Sequence, residues 1–399
     1  MRAAVINTVI GTGSIGRISC GTADEILSHG GEVLLCRGRG EEVSGYDNYR
    51  IGSDADMYLH GVLSRITDRH GTYSRKATER LIAKLEEYRP DLIQLHNIHG
   101  YYVNYKILFT WLKQAGIPVV WTLHDCWSFT GHCVHYEYRG CDRWKDGSCG
   151  PCPEKKVYPA SLICDASKKN YSDKKECFTG IERLHLVTPS EWLAGQLKES
   201  MLAEYPVKVI NTGIDLGVFR PVDTDIRERY GIGDRILLLG VANPWRDRKG
   251  MFDMAKLAMR LDPERYAIAM IGLKSSQMNM LPPNILKIGH TDSVDELVGW
   301  YSAADIYVNL TYEDTFPTTN LEAQACGTPV ITYRAGGSPE TVDDNTGVVT
   351  EKEDLKAVIS AIELLGRKQP GISGDCRERA SRYDRKDRFR EYYELYQEI

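Results

Sequence analysis

Residues Asp305 to Glu340 read DIYVNLTYEDTFPTTNLEAQACGTPVITYRAGGSPE, and few folds accommodate that run. The apolar stretch Ile306 to Leu310 predicts a buried parallel strand, Thr318 to Cys326 carries a helical pattern, and Val330 to Tyr333 predicts a second buried strand. Pro317 is expected at the first helical position, where its missing N–H is not needed and its fixed φ suits a helix, leaving the amides of Thr318, Thr319 and Asn320 outward. Such a helix start suits a phosphate. Gly327-Thr328-Pro329 ends the helix, and Gly336 to Glu340 makes a second loop at the same sheet edge. Strand, loop and helix in alternation predict an open α/β sheet, whose ligands sit outside the carboxyl ends of the strands.

Asp314 and Glu322 stand on either side of that helix start, seven residues between them. Taken alone they are one solvated acid and one cap. With a phosphate-binding helix start between them, a carboxylate on the helix's first turns can accept from ribose hydroxyls.

A chain of 399 residues with 42% hydrophobic content exceeds one ordinary core and predicts two domains. Its net charge of -5 provides no electrostatic footprint for nucleic acid. The short basic patch at Lys168-Lys169 and Lys174-Lys175 reads as a solvated face. The amino terminus does not resemble a signal peptide, and no apolar stretch approaches the ~20 residues of a membrane span. A cytoplasmic protein is expected. In that compartment the 11 cysteines are expected as thiols or metal ligands.

Ala3 to Thr8 predicts a strand, and Gly11-Thr12-Gly13-Ser14-Ile15-Gly16 follows before a helix ending near His29. This G-x-G-x-x-G match suggests a dinucleotide fold, but the next strand, Val33 to Cys36, ends in Arg37-Gly38-Arg39 with no acid for a ribose 2′-hydroxyl. Those arginines keep an NADP-dependent oxidoreductase open as an alternative. Residues 40 to 72 read as an irregular excursion with one helix near Met57 to Thr67, and Lys76 to Tyr88 as an amphipathic helix. Strands at Asp91 to His96 and Ile117 to Leu123 flank a helix at Tyr105 to Gln114, which makes the sheet parallel. His124-Asp125 ends the second of these strands, and His96 and His99 end its neighbour.

Beyond the sheet-forming pattern lies a segment, 126–153, holding Cys133, Cys141, Cys149 and Cys152, with His132 and His135 close by. Four cysteines in a loop too polar for its own core predict a structural zinc site; reduced bystander thiols and a redox pair are the other readings. A basic linker helix at Ala166 to Thr179 follows. After the strand Leu184 to Val187 and a helix from Glu191 to Ser200, the strand Arg235 to Val241 leads into Ala242-Asn243-Pro244-Trp245-Arg246-Asp247-Arg248-Lys249-Gly250, a loop of three cations ahead of a helix. That arrangement suits a diphosphate. Strands at Tyr266 to Gly272 and Ile285 to Gly289 come next, the second ending in His290. Helices are expected at Val294 to Ala303, Glu351 to Gly366 and Cys376 to Gln397.

The Asp305 to Glu340 stretch resembles the retaining glycosyltransferases of family four, which carry Glu-x7-Glu, then an Ala-Cys-Gly-Thr-Pro-Val-like run and Gly-Gly-x-Pro-Glu; this chain has Asp314 at the first acid. Val207 to Asp215 with Phe219-Arg220-Pro221 resembles the same family's interdomain signature. The resemblance implies a GT-B fold of two doubly wound Rossmann-like domains: an acceptor-side domain at 1–204, a nucleotide-sugar domain at 205–375, and a terminal helix at 376–399 that crosses back. It implies transfer of a sugar from a UDP- or GDP-sugar to a hydroxyl acceptor with retention, by front-face attack and with no catalytic metal. His124 would contact the sugar or acceptor, Lys249 and the amides of Thr318 and Thr319 the diphosphate, and Asp314 and Glu322 the donor. Gly13, Ser14 and Gly16 would close over the donor's phosphates, and Gly289 and His290 would meet the base. The family's diphosphate arginine falls on Asn243 here, with Arg246 or Arg248 as substitutes. Expected acceptors are a sugar or a lipid-linked oligosaccharide in cell-surface or exopolysaccharide assembly, with peripheral contact at the inner membrane face. A phosphorylase-like enzyme lacks its lysine motif for pyridoxal phosphate, and a non-enzymatic binding module leaves the cation loop without a purpose.

Overall fold

The computed structural model describes residues 1–399, which divide by contact into unit 1, Met1–Asn211 with Lys386–Ile399, and unit 2, Thr212–Arg385. Unit 1 begins β1 (Arg2–Val9), α1 (Gly13–Ser28), β2 (Glu32–Arg39), β3 (Asp47–Arg50), α2 (Asp54–Thr67), α3 (Arg75–Tyr88) and β4 (Leu92–Leu95). It continues with α4 (Tyr105–Ala115), β5 (Val119–Thr122), α5 (Ser167–Phe178), β6 (Leu184–Thr188), α6 (Glu191–Lys198) and β7 (Val207–Val209). Its seven strands are parallel in the order β3-β2-β1-β4-β5-β6-β7.

Unit 2 contains α7 (Ile226–Arg229), β8 (Ile236–Val241), α8 (Met251–Ala258), β9 (Tyr266–Ile271), α9 (Ser275–Met278), β10 (Ile285–Ile288) and α10 (Val294–Ala303). After these come β11 (Ile306–Asn309), α11 (Thr318–Ala325), β12 (Val330–Tyr333), β13 (Gly347–Thr350), α12 (Leu355–Leu365) and α13 (Pro370–Ser381). Six parallel strands run β10-β9-β8-β11-β12-β13. In the second sheet β8 and β9 read as apolar runs, as burial on two faces demands: all six residues of β9 and five of six in β8 are buried.

The α/β, doubly wound reading holds in each unit, while several local readings need correction. The 40–72 excursion contains β3 as well as α2. The charged carboxyl-terminal segment is two helices, α13 and α14 (Arg385–Glu398), because Tyr383 accepts from the amide of Ile214 and Ile214 in turn accepts from that of Arg385. α13 packs on α11 in unit 2, whereas α14 buries Tyr392, Leu395 and Tyr396 among Ala3, Val5 and Ala23 in unit 1. β7 pairs with β6 and so belongs to the first sheet, which puts the passage between units after Asn211 rather than at 204.

α5 is no solvated linker. Lys174 is 1% exposed, donates to the carbonyls of Trp127 (2.6 Å) and Thr130 (2.9 Å), and lies 3.6 Å from the Trp127 ring centroid. In unit 2, buried Asp305 at the foot of β11 accepts from the Arg227 guanidinium, from the Leu237 amide at 2.8 Å and from the Lys368 amide at 3.2 Å. One carboxylate thus ties α7, β8 and the segment after α12 to the sheet.

Candidate active site

In unit 2 the strand order reverses between β8 and β11, and ligands of such sheets bind at that reversal. The loop after β8 closes with a 3-10 turn, Asp247–Lys249, and Gly250 at φ 75°. A Cβ on Gly250 would stand 2.2 Å from the Leu310 carbonyl oxygen, so only glycine lets this loop lie against the one that follows β11. The Lys249 ammonium donates to Asp314 at 2.5 Å, and an Arg248 guanidinium nitrogen is 3.5 Å from Glu313. The Arg248 carbonyl accepts from the Tyr312 amide at 2.8 Å. Arg246 and Asn243 are exposed in the same loop.

At the start of α11 the sequence expectation needs amending. Pro317 is the N-cap with ψ 103°, an extended conformation, and the helix begins at Thr318. The Asn320 amide donates to the Pro317 carbonyl at 3.1 Å, which leaves the amides of Thr318 and Thr319 to lead the turn with no side chain capping them. Asn309 donates to Asn320 at 2.8 Å, and Asn320 to Thr341 at 2.8 Å, so the helix start is fixed to β11 and to the loop after β12. The Gly337 amide joins the two loops by donating to the Asp314 carbonyl at 3.0 Å. Glu322 accepts from the buried Tyr301 hydroxyl at 3.0 Å. Gly289 and His290 follow β10, the edge strand, and the His290 side chain is 87% exposed and 4.0 Å from Asp292. Lys249, Asp314, Thr318, Thr319 and Glu322 therefore gather around the reversal, and Gly289 and His290 stand at the sheet's rim.

In unit 1 the glycine motif is already helix: Gly13, Ser14 and Gly16 form the first turn of α1. The Gly11 amide donates to the Gly16 carbonyl at 3.1 Å, and a Cβ on Gly16 would lie 3.1 Å from the Val9 carbonyl oxygen. This close packing opens a cavity of about 360 Å³ between the ends of β1 and β4, lined by Thr8, Ser14, Arg39, Asn97, His99 and Tyr158 among others. Arg37, which the NADP alternative needs, is instead buried, donating to the Gly40 carbonyl at 3.2 Å and pairing with Glu42 at 3.4 Å.

His124 does end β5, half-buried, its Nε2 3.0 Å from Nδ1 of His96. Burial pushes His124 down to about 4 and drives His96 well below the usual histidine range, so both rings are neutral at pH 7. Asp125, although burial alone would raise it, is held down at about 2 by the His99 ring, by its hydrogen bond and by the Trp127 amide.

The cysteine segment packs on the unit 1 core, where Cys133 and Cys152 share a hydrogen bond. Burial pushes the Cys149 thiol up to about 11. No three His, Cys, Asp or Glu side chains form a set that could hold a metal ion. Asn309, Tyr301 and Tyr158 gave no sequence signal: Asn309 and Tyr301 meet partners 11 and 21 residues on that no motif links to them, and the Tyr158 segment carries no periodic pattern.

Residues 234–367 match the family model of glycosyl transferases group 1. A protein of Escherichia coli (strain K12), provisionally named the colanic acid biosynthesis glycosyl transferase WcaC, is 26% identical over 67% of this chain and 66% of its own length. The D-inositol 3-phosphate glycosyltransferase of Frankia alni is 31% identical over 40% of this chain and 44% of its own. The matches thus span under two thirds of both relatives. Among solved structures, a sucrose-phosphate synthase from Thermosynechococcus elongatus aligns with TM-score 0.72 at 15% identity, covering 100% of this chain and 98% of that one. Anabaena HepE in complex with UDP-glucose aligns with TM-score 0.68 at 15% identity over 100% of both chains.

Proposed function

We propose that this chain, whose residues 234–367 match the family model of glycosyl transferases group 1, moves a sugar from a nucleotide-sugar, a UDP- or GDP-sugar, to a hydroxyl acceptor with retention at the anomeric carbon. The observation that carries this reading is the crevice beside β8 and β11. There Lys249 and the uncapped amides of Thr318 and Thr319 come from two loops that lie against each other at Gly250, and Gly337 ties the second of them to the loop after β12. A leaving diphosphate gains negative charge as the glycosidic bond breaks. Donors fixed in advance stabilise that charge without reorganising. Lys249 would exchange its partner Asp314 for the diphosphate, Glu322 would accept from ribose hydroxyls, and neutral His124 would hydrogen-bond a sugar hydroxyl in unit 1. Front-face attack, with the leaving phosphate taking the acceptor's proton, accords with this set of donors.

The names of WcaC and of the lipopolysaccharide glycosyltransferase WaaG, which aligns with TM-score 0.64 at 14% identity, support a place in polysaccharide assembly with a sugar or lipid-linked acceptor. No helix is long and apolar enough to cross a membrane, so contact with a lipid-linked acceptor would be peripheral. Binding and hydrolysis of a panel of UDP- and GDP-sugars test the reading: at least one donor should bind and turn over. A protein that binds no nucleoside diphosphate would overturn it.

A further inference from the structure

The segment between β5 and α5 contributes one side chain to the unit 1 cavity, Tyr158, and its hydroxyl does not end in solvent. Its oxygen is 3.1 Å from Nδ1 of His99, and Nε2 of the same ring is 2.8 Å from Oδ2 of Asp125. Asp125 is ionised and can only accept, so Nε2 carries the hydrogen. In a singly protonated ring Nδ1 is then an acceptor and the phenol is the donor, whereas a doubly protonated ring would reverse that bond. The Tyr158 oxygen is left with its lone pairs turned to whatever enters the cavity, and what it needs there is a donor.

Three further features mark the place as built rather than incidental. Tyr101, two residues after His99, has φ 68°, a left-handed conformation that strains a bulky residue and concentrates at functional sites. Gly100 beside it has φ 130°, and a Cβ there would meet the Thr8 side chain at 2.6 Å. Thr8 itself pins the loop by donating to the carbonyls of Asn97 (2.9 Å) and His99 (2.7 Å). Finally, His70 is 4% exposed, both ring nitrogens lack a partner, and its ring meets Tyr101, Trp127 and Tyr158 edge-on. An aromatic wall thus backs the Tyr158–His99–Asp125 chain, while Asn97 and Arg39 supply polar groups on the cavity side and no carboxylate lines it.

We propose that Tyr158 is a substrate-contacting residue whose phenolic oxygen accepts a hydrogen bond from a hydroxyl of a sugar ring, with His99 and Asp125 as the positioning residues that fix its direction. A sugar ring suits the cavity because it offers hydroxyl donors to Tyr158 and acceptors to Asn97 and Arg39 within one small neutral body. The ligand's class rests on the glycosyl-transfer reading; the hydrogen-bond chain does not. The ring arrives either as the transferred sugar of the donor or as part of the acceptor.

The test uses the full chain with nitrogen-labelled histidine. Wild-type His99 should show the Nε2-protonated tautomer, a signature that simple packing would not require. UDP-glucose and GDP-mannose in one arm, and methyl glycosides of glucose, galactose, mannose and N-acetylglucosamine in the other, are titrated while the His99 signals are followed. At least one sugar should move them, and the arm that does so identifies the source. Tyr158→Phe, a change at a ring 38% exposed, should weaken that binding about tenfold, the worth of one hydrogen bond, and leave UDP and GDP affinity by calorimetry unchanged. Equal sugar affinity in wild type and Tyr158→Phe overturns the proposal, as does a protein that binds UDP or GDP but in which no sugar moves His99. Failure of UDP and GDP to bind counts instead against the glycosyl-transfer reading, with the tautomer and the glycoside arm still deciding the role of Tyr158.

Discussion

Lys249 and Asp314, 65 residues apart in sequence, meet with 2.5 Å between ammonium and carboxylate at the point where the second sheet reverses its strand order. Each side chain is less than a quarter exposed. A lysine so placed has its charge balanced by the carboxylate, and under the proposed function a diphosphate of higher charge takes it over.

Removing that cation should stop chemistry without unfolding the unit. Lys249→Ala is expected to lower donor turnover by about 10²–10³-fold, the usual effect of deleting one preorganised stabiliser, with a melting temperature near wild type. Steady-state assay with the best nucleotide-sugar decides it. Wild-type turnover would place the diphosphate elsewhere.

Glu322→Gln keeps an acceptor for the Tyr301 hydroxyl, which now lies 3.0 Å from the carboxylate, and removes only the charge. Affinity for nucleoside diphosphate should fall by ~1–3 kcal/mol, the range for hydrogen bonds to charged groups. Calorimetry showing no change would leave Glu322 with a structural role only.

Gly16→Ala forces a methyl group to within 3.1 Å of the Val9 carbonyl oxygen and 3.2 Å of the Gly11 amide nitrogen, both backbone atoms. The expected cost is ~1–3 kcal/mol, as for other overpacked sites. Urea unfolding measures it. A neutral substitution would mean that the turn ahead of α1 can yield.

The sign of the pH response follows from His124. Its ring is neutral in the fold, with a pKa pushed down to about 4, while an unfolded chain takes up the proton near about 6.5. The contribution is intact above that upper value and is lost as pH falls from about 6.5 toward about 4, at up to ~1.4 kcal/mol per pH unit. Unfolding titrations across that window should give a shallower slope for His124→Gln than for wild type. Identical slopes would mean that the native ring already carries a proton.

What could be read before folding was the part written in local pattern. The apolar runs of β8, β9 and β11 and the punctuation around α11 announce themselves within a few residues. β3, sequence DNYR, is an edge strand with no buried residue, and so has no hydrophobic signal to show. The break between α13 and α14 arises from backbone bonds to Ile214, more than 160 residues earlier, which no window of sequence contains. Lys174 looked like surface because lysine usually is, and only the carbonyls of Trp127 and Thr130 explain its burial. The four cysteines suggest zinc by their number; the fold gathers no three such ligating side chains into one set, and Cys133 and Cys152 share a hydrogen bond. Residue types pointed to the roles proposed for Lys249, Thr318, Thr319 and Glu322, whereas the one proposed for Tyr158 required knowing that its segment returns to His99.

Asp305 bears on how this protein can be dissected. Its carboxylate is reached by Arg227 from before the stretch that matches the family model, 234–367, and by the Lys368 amide from just after it. A fragment excised at those limits would keep the acid, 6% exposed, and lose both outside partners, which for a stranded buried charge costs ~3–5 kcal/mol. The smallest autonomous piece must therefore start ahead of Arg227 and continue past Lys368, and any recombination that trades this module between chains must carry both flanks with it.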